Sequence, residues 1–591
     1  MKETIYHGCK RLHEPKKFNN IKEIIENTKK EFGNLDAVKF KTNEPGKFRV
    51  IKYKDYVDDV NGLGTALISI GLKDKRIAVI GENSMEWAQA YLSIVCGTGV
   101  VVPLDKALPE NEIRDLIERS EVEAIFYTDK YDLVREKVMK DELGKVKYFI
   151  SMSADKTEGK IYSQKELVKL GKDLIKNGAR SFLDAEIKNE EMSIMLFTSG
   201  TTSKSKAVML SHKNICTNIY DISSIFDLGT DDVLLSFLPL HHTFESTVGF
   251  LYPVSVGSCI AYCEGIRHIA DNLKDYQITG MIAVPILFEN MYKKVMKAIE
   301  KKGKAKKVKI GMKISNFLMK FGIDKRREIF KDIHANFGGK LRIFVAGAAA
   351  FDPETEKGFT ALGINTYQGY GLTEASPVIA AEHPTCVRVG SIGKPLPSLK
   401  VKVVNADENG VGEIVATGDS VMMGYYNNEE ATKATLEDGW LRTGDLGFID
   451  KDGYIHITGR EKNVIVLKNG KNIYPEEIEA KIEKIEGVKE VMVYGKPEED
   501  DDNDLKICAK IVYNKDILDE MDIDDEDEIK DYLWKKIKEI NKTMPAYKYV
   551  REITVTEEDL IKTTTQKVKR FEEIKKMDKK QNKKEEKKSK K

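Results

Sequence analysis

One segment gathers an unusual share of phosphate-binding chemistry: Phe197-Thr198-Ser199-Gly200-Thr201-Thr202-Ser203-Lys204-Ser205-Lys206-Ala207. An apolar strand-like run, Met192–Phe197, enters a loop of hydroxyl residues and glycine with two lysines on its far side. Backbone N–H groups, hydroxyls and an ammonium in one loop meet the needs of a polyphosphate, which are many donors and a compensating charge. The GxxxxGK[ST] frame occurs nowhere in the chain, so this is a different kind of loop. Taken alone it also fits a plain Ser/Thr turn. A second segment is Tyr367-Gln368-Gly369-Tyr370-Gly371-Leu372-Thr373-Glu374. Its glycines let backbone approach a flat ligand, while the hydroxyl of Thr373 and the carboxylate of Glu374 suit a phosphate and its Mg²⁺. In a third, Asp438-Gly439-Trp440-Leu441-Arg442-Thr443-Gly444-Asp445, a carboxylate follows a tight turn and can pair with ribose hydroxyls. Each of the last two fits an ordinary turn equally well by itself.

Alternating elements must hold these loops. Arg76–Ile80, Val100–Leu104 and Ala124–Thr128 read as strands, separated by helical patterns over Met85–Cys96 and Glu110–Ser120. That rhythm predicts βαβ units on a parallel sheet. It returns at Leu341–Val345, which enters the small-residue turn Gly347-Ala348-Ala349-Ala350, and at Ile364–Tyr367. After about Gly459 the character changes. Asn463–Leu467 and Asn472–Tyr474 flank Asn469-Gly470, a hairpin signal. Pro475 opens a helix with Glu476, Glu477 and Glu479 at its positive end. Strands are expected at Val491–Tyr494, Lys506–Val512 and Glu552–Thr556, with an acidic loop Glu498–Asp504 and a helix near Asp531–Asn541. The fold class is α/β: a large N-terminal domain of several subdomains, residues 1–459, followed by a small mobile α+β domain, 460–570. Two charged stretches read as solvated: Lys301–Lys313 as a surface loop, and 571–591, with ten lysines against five acids, as a disordered tail. The tail's lysine spacing also permits weak peripheral contact with anionic lipid.

Composition narrows the classes. Over 591 residues, 41% hydrophobic and 32% charged content supports a sizeable core. Lys+Arg 96 against Asp+Glu 95 gives no electrostatic reason to expect nucleic acid. The longest apolar run, Ser93 to Leu104, is broken by Gly97 and Gly99 and falls short of the roughly 20 residues of a membrane span. The polar start, Met1 to Pro15, has no signal-peptide apolar region. Seven cysteines without a CxxC suit a reducing compartment, so a cytoplasmic protein is expected. Cys259 and Cys263 lack the partners of a zinc site.

In this order and spacing the segments resemble the adenylate-forming enzymes: acyl-CoA synthetases, luciferases and peptide-synthetase adenylation domains. The resemblance runs from about Ile21 to Arg570. It also includes Leu238-Pro239-Leu240-His241-His242-Thr243-Phe244-Glu245, which looks like the substrate motif, and Gly412-Glu413-Ile414 through Gly424-Tyr425-Tyr426. Thr458-Gly459-Arg460-Glu461-Lys462 is similar to the interdomain hinge, and Thr563-Thr564-Thr565-Gln566-Lys567-Val568-Lys569-Arg570 to the catalytic-lysine motif. By this resemblance Thr198, Ser199, Gly200, Thr201, Thr202 and Lys206 cradle the β- and γ-phosphates of ATP. Gly347, Ala348 and Ala349, with Gln368 and Tyr370 and the glycines Gly369 and Gly371, form the adenine slot. Thr373 touches the α-phosphate, Glu374 binds Mg²⁺, and Asp445 and Arg460 hold the ribose. His242 stands between the acyl site and the thiol channel, Lys462 is the hinge, and Lys567 reaches over the α-phosphate. His241 receives no role.

The chain departs from the family at Ser203, Ser205 and Ala207, where Gly, Pro and Gly are usual, and at Ile561 and Gln566, where Pro and Gly are common. Strain of about 1 kcal/mol is expected wherever Ser203 or Ala207 must take positive φ. The frame around Gln566, the substrate motif, Phe337-Gly338-Gly339-Lys340-Leu341-Arg342 and Val421-Met422-Met423-Gly424-Tyr425-Tyr426 resemble the long-chain fatty acyl-CoA synthetase branch. That implies ATP, Mg²⁺ and CoA, with a fatty acid as the activated carboxylate. Two alternatives stay open from sequence: transfer to a carrier-protein phosphopantetheine, and a catalytically weak adenylate-binding protein.

Overall fold

The structure is a computed structural model and describes every residue except 1–3, 43, 45, 141–144, 199–204, 469–470, 499–500, 564–566 and 590–591. Two large sheets and an antiparallel one build the N-terminal part. In the first, Gly99–Pro103, Lys75–Ile80, Ala124–Tyr127, Tyr148–Ser151 and Ile161–Ser163 run parallel, as the apolar alternation predicts. Met192–Thr198 joins them through one parallel pair and then turns back into Lys206–Ser211. The second sheet has a parallel centre of Val233–Ser236, Cys259–Tyr262, Gly280–Ala283, Ile343–Ala346 and Asn365–Gly371. Asn365–Gly371 then pairs antiparallel with Val378–Ala381, so this strand marks the change of direction in the sheet. Small-molecule sites gather at such points, outside the carboxyl ends of parallel strands. Trp440–Ile449 and Ile455–Arg460 form a hairpin in the third sheet.

One continuous core ties all three sheets together, including Val79 and Ile194 of the first, Leu234 and Ile343 of the second, and Val401 and Leu441 of the third. A separate core, containing Ile478, Val493, Ile511, Leu533 and Val550, holds the C-terminal domain. There Val488–Glu498 pairs with Asp501–Tyr513, which runs parallel to Val550–Thr556. The helices Pro475–Ile482 and Glu526–Asn541 cover this sheet. Ile465–Val466 pairs with Asn472–Ile473 around Asn469-Gly470, which lies outside the described residues.

Three sequence expectations change. The acidic stretch 498–504 is largely strand, because pairing continues out to Glu498 and Asp501. Lys301–Lys313 is no loop: Pro285–Lys301 and Ala305–Met319 are helices, and lysine is a good helix former. The end is not disordered from residue 571. Arg570–Ser589 is helical, and Ile574 and Met577 pack on Met492, Val512 and Leu560. Glu573 is buried and paired with buried Lys510. No helix among the described residues is long and apolar enough to cross a membrane.

Candidate active site

The hairpin Met192–Thr198/Lys206–Ser211 closes on the pair Thr198↔Lys206. Ser199, Gly200, Thr201, Thr202 and Ser203 lie outside the described residues. Ala207 sits in the strand opposite Phe197 and is absent from the positive-φ positions, so the strain expected there does not arise. Ser205 is used as an anchor: its carbonyl accepts from Arg119 at 2.6 Å.

Lys206 lies over the Tyr425 ring, with Nζ 4.7 Å from its centre. The Tyr425 hydroxyl donates to Glu374 Oε1 at 2.9 Å. Tyr425 therefore links a phosphate-side cation to the proposed metal carboxylate, a role that sequence reading missed. Glu374 and Thr373 occupy the single turn Thr373–Ala375, pinned where Met422 N–H donates to the Glu374 carbonyl. Just before this turn, Gly371 is required by close approach, since a Cβ there would meet the Pro377 carbonyl at 1.9 Å.

The residues expected on the adenine side sit at two adjacent strand ends, Ile343–Ala346 and Asn365–Gly371. Gln368 Nε2 donates to the Ala349 carbonyl at 3.5 Å, and Gln368 N–H to buried Glu382 at 3.0 Å. Burial raises the Glu382 carboxyl to about 8, so it is protonated at neutral pH. A Cβ at Gly347 would press on the Phe244 ring at 2.9 Å, and Ala348 holds φ +72°. Gly369 differs from these: a Cβ there would meet only the Ala380 carbonyl, at 3.9 Å.

The corner that the resemblance assigns to the ribose is fully paired. Tyr370 donates to Asp445 Oδ2 at 2.7 Å, and Arg460 Nε stands 2.7 Å from Asp445 Oδ1. The strand register Asp445↔Arg460 brings the last two together. Burial and the Asp445 charge push the Tyr370 phenol well up, so it stays a donor.

The substrate motif is clamped by a residue that carried no signal. Asn83, in the turn after Lys75–Ile80, donates to Ser236 at 3.1 Å and to the Leu238 carbonyl at 2.7 Å, and accepts from Leu240 N–H at 3.0 Å. Ser236 in turn donates to Glu245 at 2.6 Å. Glu245 is fully buried and raised to about 8, hence neutral. His242 is drawn down to about 3, mainly by desolvation and then by His241 and Lys567. It is a neutral imidazole at physiological pH. His241, given no role from sequence, is buried 3.3 Å from Asp105. These two and His242 form the one three-ligand cluster of metal-binding type among the described residues.

Lys567 comes from the other domain. Its N–H donates to the Thr563 hydroxyl at 3.1 Å, and Thr563 N–H to its carbonyl at 2.8 Å, closing the loop whose tip (Thr564, Thr565, Gln566) lies outside the described residues. Arg570 anchors the base of the loop on the Val493 carbonyl, 2.8 Å, and on Glu479, 2.5 Å. Ile561 explains one departure. Its N–H donates to Glu573 at 2.9 Å, a bond that the common proline cannot make. Lys567 is exposed. Desolvation and Arg460 lower its pKa, while Asp445 and Glu374 act in the opposite direction. Lys462 is lowered to about 8 by desolvation, Arg460, Lys567 and, least, Lys206. Thus the cations of the loop, the hinge and the lysine motif feel one another across the domain boundary. Lys484 with Asp352, 3.0 Å apart, adds a direct contact between the domains.

The AMP-binding enzyme family model matches residues 25–426, and its C-terminal domain model matches 462–583, which extends past the boundary at 570 drawn from sequence. The chain belongs to the AMP-binding enzymes. It is 30% identical over 506 residues to long-chain-fatty-acid–CoA ligase 6 of Mus musculus, covering 78% of this chain and 70% of that one. It is 27% identical to the chloroplastic long-chain-fatty-acid–[acyl-carrier-protein] ligase AEE15 of Arabidopsis thaliana, over 75% and 70% of the two chains. Among solved structures, the anthranilate CoA ligase AuaEII in complex with anthranoyl-AMP shares the fold, with TM-score 0.74 at 20% identity over 94% of this chain and 97% of that one. The protein is an adenylate-forming ligase that activates a carboxylic acid to an acyl-adenylate.

Proposed function

We propose that the activated acid is a long-chain fatty acid and the acceptor is CoA, giving acyl-CoA, AMP and pyrophosphate. The observation that carries the acid's identity is Gly369. Between Gln368 and Tyr370 of the adenine slot it leaves space where a side chain would otherwise stand, so an acyl chain can pass beside the adenylate. The substrate motif adds no charge there, since His242 and Glu245 are both neutral. The mouse relative's name points the same way.

A carboxylate attacks a polyanion only if the negative charge is neutralised and the partners are held in line. Lys206 and the 199–202 loop hold the β- and γ-phosphates, and Asp445 and Arg460 hold the ribose, with Tyr370 of the adenine slot bonded to Asp445. Lys567 sits over the carboxylate and α-phosphate. The acid's oxygen bonds to the α-phosphorus as the bond to pyrophosphate breaks. Glu374 suits Mg²⁺, being a hard oxygen donor whose other oxygen is fixed by Tyr425. When bound, the ion supplies charge neutralisation on the phosphates. In the second step the CoA thiol gives up its proton to water, its sulfur bonds to the carbonyl carbon, and the carbonyl–oxygen bond to AMP breaks, AMP leaving with the bonding electron pair. His242, at about 3, is too weak a base to take the thiol proton in the closed arrangement. Withdrawal of Lys567 by rotation about Lys462 clears the thiol's path and removes one charge that depresses His242.

Mass spectrometry of products from ATP, Mg²⁺, CoA and acids from acetate to oleate tests the reading. Long-chain acyl-CoA and AMP are expected, with Gly369→Trp losing the long acids and keeping the short ones. Equal loss of all chain lengths in that variant would sink the role of Gly369. The Arabidopsis relative favours a second reading, a carrier-protein acceptor. Acyl-adenylate that accumulates with CoA and is discharged by holo carrier protein would establish it.

A further inference from the structure

The helix Ala305–Met319 carries large apolar residues on both of its faces. Val308, Met312 and Ser315 face the body of the domain. On the opposite side Ile310, Ile314 and Phe317 are 58%, 51% and 60% exposed, and Phe321 just beyond the helix is 67% exposed. At 100° per residue the three helical positions fall within an arc of about 60°, one continuous stripe that Phe321 extends. Phe317 and Phe321 pack edge to face at 5.2 Å, so the stripe is a preformed surface. Isolated exposed hydrophobics need no explanation, but a contiguous row of large ones marks an interaction site.

Charge says what lies against it. Residues 301–323 contain eight lysines and no acid. Lys306, Lys307, Lys309, Lys313 and Lys320 are exposed and flank the stripe on both sides. Among the described residues the one ion pair made by these eight lysines is Lys304 with Asp332, 3.5 Å. A second copy of the chain is a poor occupant, because a two-fold contact would bring these lysines against one another. A bilayer surface with anionic headgroups satisfies both features: acyl chains for the stripe and phosphate for the flanking ammoniums, whose stems reach outward from the apolar face.

We infer that Ala305–Met319, continued to Phe321, is a membrane-docking helix that lies in the headgroup plane of anionic bilayers. This moves the expected lipid contact from the lysine-rich end to the body of the N-terminal domain. It stands independently of the substrate assignment, because vesicle binding is read without turnover.

The test is flotation of the full-length protein with phosphatidylcholine vesicles with and without phosphatidylglycerol. Binding is expected to the anionic vesicles alone and to weaken with salt. Ile314→Ser with Phe317→Ser and Phe321→Ser should weaken it by at least about ten-fold, as should Lys306→Glu with Lys307→Glu and Lys309→Glu. ATP–pyrophosphate exchange with a short soluble acid should be unchanged, which checks the fold. A Phe317→Trp variant, kept otherwise intact, should shift its emission to the blue on anionic vesicles only. A full-length variant with glutamine for every lysine from Lys583 onward should still bind. The inference fails if no vesicle is bound, or if the stripe variants bind like wild type. Loss confined to the tail variant overturns it too, as does a dimer abolished by the serine variants without vesicle binding.

Discussion

The corner proposed for the ribose and the lysine end of the proposed site are built on opposite principles. At the corner every charge has its partner before a ligand arrives: Asp445 takes Tyr370 and Arg460, both at 2.7 Å. At the other end cations face cations. Lys462 is pulled down to about 8 and Lys567 is lowered, each in part by Arg460, and Lys462 also by Lys567 and Lys206. Grouped like charges are costly until a polyanion neutralises them. On the proposed reading the corner is a fixed seat for the nucleotide, whereas the lysine end is a charged lid that a triphosphate would hold shut and release once pyrophosphate has gone.

This contrast can be broken from either side. The largest effect is expected at the lid. Glu573 and Lys510 are a buried pair, so Glu573→Ala strands one charge and should cost about 3–5 kcal/mol of lid stability. Adenylation should fall with it, while AMP affinity stays near wild type; thermal unfolding and calorimetric titration read the two separately. Parallel loss of both would mean that the regions are not independent. At the corner, Asp445→Ala should weaken ATP and AMP binding by about 2–3 kcal/mol, the scale of hydrogen bonds to a charged group. Unchanged nucleotide affinity in that variant would remove the corner from the site.

Stability against pH probes the floor beneath both regions. Glu245 and Glu382 have folded pKa values raised to about 8 from 4.5. Between those values the folded state holds protons that the unfolded chain has released, so stability falls as pH rises from about 4.5 to 8. Glu245→Gln should flatten that fall by about 1.4 kcal/mol per pH unit in the same window. A melting temperature with the wild-type slope would show that Glu245 is ionised. The smallest change expected is Tyr425→Phe, about 1 kcal/mol in the Mg²⁺ dependence of pyrophosphate exchange, with ribose-side affinity untouched.

What the sequence made legible was local. The hydroxyl loop, the Asp445 turn and the Thr563–Arg570 frame each place their chemistry within a few residues, and the alternating strands announced the α/β part. What it hid was long-range. Asn83 meets Leu240 across 157 residues, Tyr425 meets Glu374 across 51, and His241 finds Asp105 only once the sheets are assembled. The two misread charged stretches carried an overlooked signal. Ile310, Ile314 and Phe317 have helical spacing, as do Phe571, Ile574 and Met577, but the abundance of lysine masked the periodicity.

The division of labour between the two ends is tested most directly by following both half-reactions in Lys567→Ala. Acyl-adenylate formation should drop by about 10²–10³-fold, while conversion of supplied acyl-adenylate to acyl-CoA keeps most of its rate. Equal loss in both steps, or an unaffected first step, would contradict the placing of Lys567 over the α-phosphate.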